Sequence, residues 1–351
     1  MCRGRRGVRV VRGCEVRGCE VRRCEGASEG AKVRSYASAA GALMILAIWS
    51  CTMTGARSDE PAHPGTGAPA HQRTDAPSSP AFDSARAWEH LRRQVAFGPR
   101  PAGSAALNET RGYILEQLKA SGIDARQQAF IAKTPLGEIS MANIIATIPG
   151  KRTDRIALAS HYDTKLARDF RFVGANDGAS STAALLELGR VLKGRPHEFT
   201  IELLFLDGEE AVNWDWRGTD NTYGSRHYVQ AAQQGRTLGT LKALVLLDMI
   251  GDRDLRIRRD ANSTPWLVDL IWSAAARLGH RSTFPDELTT IEDDHIPFVR
   301  AGVPSVDVID LENPTWHAPQ DDLEHVSARS LQITGDVILA AFPDIEKRLS
   351  P

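Results

Sequence analysis

From residue 82 onward, the chain alternates short apolar runs rich in β-branched residues with longer segments whose apolar residues recur every three or four positions. The short runs predict buried strands, and the longer segments predict amphipathic helices. Near-continuous apolar strands that alternate with helices are typical of a sheet covered on both faces. The sequence therefore predicts one α/β domain over 82–351, with a mixed, largely parallel central sheet flanked by helices on both faces. The predicted strands are 143–147, 155–159, 200–206, 243–247 and 303–309, and the predicted helices are 180–192, 222–234, 266–278 and 329–342.

Histidines and carboxylates follow the predicted strands. Ligands of open α/β sheets bind beyond the carboxyl ends of the strands, so we expect these side chains to meet in one crevice. Carboxylates crowded in this way cost free energy unless a cation neutralises them, and a divalent metal supplies that charge. The residues concerned are His161, Asp163, Asp177, Glu209, Glu210, Asp248 and His317.

The available ligands indicate which metal this is. All five cysteines lie at or before Cys51, so the predicted domain offers no thiolate. With His, Asp and Glu as ligands and no EF-hand spacing, zinc is the leading candidate. The adjacent glutamates can divide the work: Glu210 binds the metal, and Glu209 acts as the general acid/base. The second role requires a carboxyl whose pKa is raised by an apolar, anionic environment.

Several motifs together resemble the glutaminyl-peptide cyclotransferase family, which shares the fold of the zinc aminopeptidases. The resemblance runs from about residue 96 to the C-terminus, with GPRPAGS near its start, and its motifs keep a consistent order. They are HYDTK (161–165), FVGANDGASS (172–181), FLDGEEAVNW (205–214), DNTYGSRH (220–227), LLDMIG (246–251), EDDHIPFVRAGVP (292–304) and WH (316–317).

The resemblance implies roles for individual residues. Asp177, Glu210 and His317 match the ligands of one catalytic zinc ion per chain, and Glu209 matches the proton shuttle. His161, together with Asp163, matches a metal-ligand segment of the aminopeptidases, which the cyclotransferases retain without filling a second metal site.

The substrate pocket is also implied by the resemblance. Asp248 looks like the residue that contacts the substrate α-amino group, and Asp293 looks like its hydrogen-bonded companion near Glu209. Trp214 and Trp316 match the aromatic residues that line the pocket. Two departures are visible: Asp307 stands where the animal enzymes have a histidine, and the interval before Trp316 is shorter and lacks their Phe-Pro.

The implied activity is zinc-dependent cyclisation of the N-terminal glutamine of peptides or proteins to pyroglutamate, with release of ammonia, by a monomer. One alternative is a two-zinc aminopeptidase, in which His161 and Asp248 complete a second site and Asp177 bridges the metals. Another is an inactive peptidase-like binding module. Metal content separates these readings, since one zinc favours cyclisation, two favour hydrolysis and none favours the inert module.

Segments before residue 82 bear on location. Residues 1–35, with the repeats VRGCE and VRRCE, are basic and low in complexity, and we interpret them as disordered or not translated. Residues 36–51 resemble a signal whose apolar run is too short to span a bilayer comfortably, and Cys51 stands where a lipoprotein would carry a lipid anchor. Residues 52–81 predict a disordered linker. We expect export to the periplasm, the cell envelope or the extracellular space.

The charge balance excludes one class of partner. Lys and Arg total 43 against 44 Asp and Glu, so the formal net charge is −1. A chain with this balance lacks the basic field that binding to a phosphate backbone requires. We therefore expect no nucleic-acid partner.

Overall fold

The computed structural model describes residues 80–351, and they form a helix-flanked central sheet. Six strands make the sheet, and two further short strands pair beside it in parallel. The strands are β1 (Asp124–Thr134), β2 (Gly137–Ile148), β3 (Arg152–His161), β4 (Phe199–Leu206), β5 (Leu241–Asp248), β6 (Arg259–Asp260), β7 (Leu288–Thr289) and β8 (Ser305–Ile309). The helices are α1 (Ser84–Phe97), α2 (Ala105–Ala120), α3 (Ala179–Lys193), α4 (Tyr223–Gln234), α5 (Pro265–Arg277), α6 (His295–Arg300) and α7 (Ala328–Leu349).

The strand order of the large sheet is β1-β2-β4-β3-β5-β8. Strand β3 is parallel to β4 and β5, and β5 is parallel to β8, whereas β2 is antiparallel to both β1 and β4. The prediction of a mixed, largely parallel sheet is confirmed. Because four parallel strands end at the same edge, the residues that follow them are brought together there.

Alternate residues along the strands enter two different hydrophobic clusters. Leu158 and Leu203 belong to the larger cluster, which also holds residues of α1, α2, α3, α5 and α7. Ala157 and Leu204 belong to the second cluster, with residues of α4 and α6. Since successive side chains of a strand point to opposite faces, both faces of the sheet are covered, as the apolar runs predicted.

Each predicted strand and helix lies within or close to an observed one, but the edge of the sheet was not predicted. Ala132 is the only residue of β1 that is buried, so this strand has no continuous apolar run. It forms through eleven paired positions with β2. Helix α1 begins after Asp83, whose side chain accepts hydrogen bonds from the backbone N–H groups of Ala85 and Arg86.

The predicted segments at 1–35 and 36–51, and the linker up to residue 79, lie outside the described residues and stay predictions. The last two residues of the predicted linker contact the domain. The guanidinium of Arg195 donates to the carbonyl of Pro80 at 2.7 Å, and that of Arg190 donates to the carbonyl of Ala81 at 3.0 Å. Within residues 80–351, no helix combines the length and the apolar character needed to cross a membrane.

Candidate active site

The two adjacent glutamates leave β4 through a glycine turn. Gly208 has a φ of 72°, and a Cβ at this position would lie 2.6 Å from the sulfur of Met141. Only glycine adopts this conformation in such a space without strain. Asp163 then fixes the turn, because its two carboxylate oxygens accept hydrogen bonds from the backbone N–H groups of Glu209 at 3.1 Å and Glu210 at 3.3 Å.

A carboxylate from the C-terminal part of the chain holds the loop that carries Asp177. The backbone N–H groups of Asn176 and Asp177 donate to the two oxygens of Asp321, at 2.6 and 3.0 Å. Gly178 follows with a φ of 87°, and a Cβ there would lie 2.4 Å from the carbonyl oxygen of Asp163. No pattern in the sequence indicated the role of Asp321, because its side chain acts on backbone atoms.

A buried arginine supports the same loop from its other side. Arg100 is fully buried, and its guanidinium donates to the carbonyl oxygens of Val173 at 2.7 Å and Gly174 at 3.1 Å. Burial lowers the pKa of Arg100 to about 10, against the raising effect of nearby carboxylates such as Asp321. This arginine belongs to the GPRPAGS motif, whose spacing alone did not reveal its function.

The structure brings Asp177, Glu210 and His317 together as a first ligand group. One ligand atom from each lies within 4.8 Å of the others. The Nε2 atom of His317 lies 3.1 Å from Glu210 Oε1 and 3.4 Å from Asp177 Oδ2. His317 has a φ of 51°, a left-handed conformation that costs a side-chain residue about 1–2 kcal/mol, so its position is enforced by its surroundings.

A second ligand group shares Asp177 with the first. The Nε2 atom of His161 lies 3.0 Å from Asp248 Oδ1 and 3.3 Å from Asp177 Oδ1, and the three ligand atoms again fall within 4.8 Å of one another. The Nδ1 atom of His161 faces Asp163 at 3.6 Å and Glu209 at 3.7 Å.

The first group fits a zinc ion. Asp177 Oδ2 and Glu210 Oε2 are buried, and neither accepts a hydrogen bond from another described residue. Two carboxylates and one imidazole that line one cavity form a set of oxygen and nitrogen donors of the kind that zinc uses at catalytic sites. The ammonium of Lys165, 3.5 Å from Glu210 Oε2, is the cation nearest to that oxygen among the ion pairs of the described chain.

The carboxyl groups of the site show how much negative charge is crowded there. Burial raises the pKa of Glu209 well above its usual value; His161 opposes the shift, while Asp293 and Glu210 add to it. Burial likewise raises the pKa of Asp248 to about 7, although His161 opposes it. The pKa of Glu210 is raised by burial and by the charge of Asp177.

In the two histidines, burial and the neighbouring carboxylates change the pKa in opposite directions. Burial lowers the pKa of His317, but Glu210 and Asp177 outweigh it and raise the pKa to about 10. Burial also lowers the pKa of His161, and Asp248 and Glu209 more than compensate, so that the pKa lies well above its usual range. The carboxylates therefore attract any positive charge that reaches them, which is the electrostatic condition for binding a metal cation.

The three residues of the first ligand group line a cavity of about 550 Å³. Trp214 and Trp316 line it, and their side chains are 53% and 45% exposed at its mouth. The ring of Trp316 stacks on that of His317 with centroids 4.5 Å apart, and Trp214 meets the same imidazole edge-on at 5.8 Å. The sequence did not single out the other large or apolar lining residues, which are Trp216, Met249, Ile291, Ile309 and Leu311.

Asp293 lines the same cavity as Asp248 and Glu209, but its expected hydrogen bond to Asp248 is not formed among the described residues. Asp307 lies nearby, and burial together with the charges of Asp293 and Asp248 raises the pKa of Asp307 well above its usual value, but neither oxygen of Asp307 has a hydrogen-bond partner among the described residues. His295 is fully buried behind them, with Nε2 at 3.0 Å from Asp260 and Nδ1 at 3.6 Å from Asp307. Asp307 therefore adds a further buried carboxyl group beside Asp293.

Comparisons with known proteins agree with this geometry. The family model of peptidase family M28 matches residues 143–342. The glutaminyl-peptide cyclotransferase-like protein of Mus musculus is 33% identical over 270 residues, which cover 68% of this chain and 70% of that protein.

Solved structures give the same grouping. The crystal structure of a glutaminyl cyclase from an Acidobacteriales bacterium is 40% identical with a TM-score of 0.73, and the match covers 81% of this chain and 100% of that one. A leucine aminopeptidase precursor from Bacteroides thetaiotaomicron is 29% identical with a TM-score of 0.69, over 75% of this chain and 97% of that one. The chain therefore belongs to the glutaminyl-peptide cyclotransferase family of enzymes, within the zinc aminopeptidase-like fold of peptidase family M28.

Proposed function

We propose that this protein converts the N-terminal glutamine of peptides or proteins to pyroglutamate and releases ammonia, with one zinc ion held by Asp177, Glu210 and His317. The observation that carries the proposal is the first ligand group, which opens on a tryptophan-lined cavity beside the unligated carboxyl of Glu209. A zinc ion bound there would supply Lewis-acid polarisation of the γ-carbonyl of the glutamine.

The cavity accounts for substrate orientation. The carboxyl of Asp248 lies on the cavity wall, where its Oδ1 atom accepts from the backbone N–H of Met249 at 2.8 Å and contacts His161. A carboxyl held this firmly is suited to orient the substrate α-amino group. Trp214 and Trp316 then enclose the aliphatic part of the glutamine side chain and limit the access of water.

Glu209 performs the proton transfer in this mechanism. As the α-amino nitrogen bonds to the γ-carbonyl carbon, Glu209 takes a proton from that nitrogen. Glu209 then returns a proton to the departing amide nitrogen, the bond from that nitrogen to the carbonyl carbon breaks, and ammonia leaves. Its pKa, raised by burial, lets it accept and then donate one proton. Because the nucleophile and the electrophile belong to the same residue, ring closure costs little association entropy.

The second candidate function is a two-metal aminopeptidase. The second ligand group, with His161 and Asp248 sharing Asp177, is the specific observation that favours it. In that case Glu209 would activate a water molecule for hydrolysis of the first peptide bond. Two observations favour cyclisation over hydrolysis. The chain is 40% identical in sequence to a glutaminyl cyclase, and one oxygen of Asp248 already accepts a hydrogen bond from a backbone N–H.

Mass spectrometry of two peptides tests the proposal. The purified protein is incubated with one peptide that begins with glutamine and a matched one that begins with leucine, in water labelled with heavy oxygen. Cyclisation predicts loss of ammonia from the first peptide, no change in the second, and no label in either product. Release of free leucine, with label in the new carboxyl group, would instead establish hydrolysis and refute the proposal.

A further inference from the structure

A second cavity adjoins the active-site cavity. It has a volume of about 360 Å³ and lies between α4 and α6. Both cavities are lined by Trp216, Glu292 and Asp293, so they meet along that wall. The chemistry proposed above uses only the first residue of a polypeptide, and the rest of the substrate must leave the active site across its rim.

The line of depressions continues beyond this second cavity. A third one, of about 310 Å³, shares Thr219, Arg226 and Gln230 with it and extends to residues 130–133 on β1, the edge strand of the sheet. We call these two cavities the exit groove. Exposed amide side chains, such as that of Gln230, can donate to and accept from the backbone of an extended peptide.

The exit groove has a small excess of positive side chains, since Arg226, Arg300 and Lys133 line it together with the acidic residues Glu292 and Asp293. The guanidinium of Arg226 lies over the ring of Tyr223, 5.0 Å from its centroid, and donates to the carbonyl of Asn221. Arg300 lies 3.7 Å from Glu292, but the two side chains are 73% and 64% exposed. An ion pair this exposed contributes little, so Arg300 is available to a ligand.

A further depression, formed by the loop 213–220, is less suitable for binding the rest of the substrate. It is lined only by residues of the loop 213–220, so neither a helix nor a strand supplies a wall for an extended segment. The exit groove, by contrast, has walls from two helices that belong to the packed layer on one face of the sheet.

We propose that the exit groove binds the residues that follow the N-terminal glutamine as an extended segment, and that Arg300 and Arg226 favour acidic side chains there. The inference rests on the proposed function, because it concerns the substrate of the same site. It makes the groove a determinant of which Gln-initiated chains are preferred.

Steady-state kinetics on three amidated peptides test the inference. One is the dipeptide Gln-Ala, and the others are pentapeptides with either two glutamates or two lysines at their third and fourth positions. We expect kcat/KM for the acidic pentapeptide to exceed that for the basic one by about three- to tenfold at low salt, because exposed charge pairs are individually weak. The ratio should shrink at high salt, which screens exposed charges.

Two variants with the same charge change separate the groove from the general surface. Arg300→Glu should remove or reverse the preference for the acidic pentapeptide. Arg281→Glu, at an exposed arginine that lines none of these cavities, should keep it. A third variant, Gln230→Trp, fills the groove and should lower the ratio of pentapeptide to dipeptide kcat/KM.

The outcomes are distinct. Equal kcat/KM for the acidic and basic pentapeptides, or the same preference in Arg300→Glu and Arg281→Glu, would overturn the inference while cyclisation of the dipeptide still supports the proposed function. If none of the three peptides loses ammonia, the proposed function fails, and the inference fails with it.

Discussion

The two ligand groups share Asp177 but differ in whether their ligand atoms already take part in hydrogen bonds. In the group with Glu210 and His317, one oxygen of each carboxylate accepts no hydrogen bond from a described residue, and the imidazole lines the cavity. In the group with His161 and Asp248, the histidine is 1% exposed, and the nearest aspartate oxygen already accepts from a backbone N–H group.

The difference shows that similar residue types at similar distances do not make equivalent metal sites. The first group has two carboxylate oxygens without a hydrogen-bond donor from residues 80–351, on residues that line the cavity. Despite burial, neighbouring carboxylates raise the pKa of the imidazole in both groups, so the distinguishing feature of the second group is its buried histidine and the Asp248 oxygen that already accepts from a backbone N–H. A single zinc ion in the first group is therefore the arrangement that the comparison predicts.

Separate substitutions of the adjacent Glu209 and Glu210 test the comparison most directly, because Glu210 is a ligand of the first group and Glu209 is not. Glu209→Gln should lower kcat by about 10²–10⁴-fold, because general acid–base catalysis is lost, and should leave one zinc per chain. Glu210→Gln should lose zinc instead, since it removes a ligand. Metal analysis and cyclisation kinetics on both variants check this, and loss of zinc from Glu209→Gln would contradict the assignment.

The two histidines should also behave differently. We expect His317→Ala to weaken zinc affinity by about 10²–10³-fold, because the binding free energy of a zinc ion, about 10–16 kcal/mol, is divided among roughly four ligands. His161→Ala should still bind one zinc per chain. Competition with a chromogenic chelator measures both affinities. Two zinc ions in the unchanged protein, with one lost in His161→Ala, would show that the second group also holds metal.

The support of the shared aspartate can be tested next. Asp321→Asn keeps one acceptor oxygen for the two backbone N–H groups of the Asp177 loop, so zinc affinity should fall by about 10–100-fold, as for other residues that orient ligands. Asp322→Asn is a matched control, because its side chain is 40% exposed and bonds within its own turn. Equal zinc affinities in the two variants would show that the hydrogen bonds from the Asp177 loop to Asp321 are not needed for zinc binding.

The smallest effect concerns the cavity wall beside the first group. Trp214 contributes an exposed ring that meets His317 edge-on, so Trp214→Ala should raise KM by about three- to tenfold through lost aromatic contact, with little change in kcat. The same substitution should leave zinc content unchanged. A fall in kcat at constant KM would mean that the ring acts in the transition state and not in binding.

The sequence predicted the parts of the fold and site that depend on side-chain chemistry. The buried strands have continuous apolar runs, and the residues at their ends, such as Asp248, are of ligand or acid/base type. The edge strand β1 and helices α1 and α2 were not predicted; half-exposed β1, for example, has no continuous apolar run. Arg100 and Asp321 were missed for another reason, since they act through backbone atoms of loops that are distant in sequence.

Asp177 belongs to both ligand groups, and this bears on how an enzyme of this fold could change from one chemistry to the other during evolution. A lineage that moves between one-metal transfer and two-metal hydrolysis would need to recruit no new ligand, because His161 and Asp248 are already in place around the inherited aspartate.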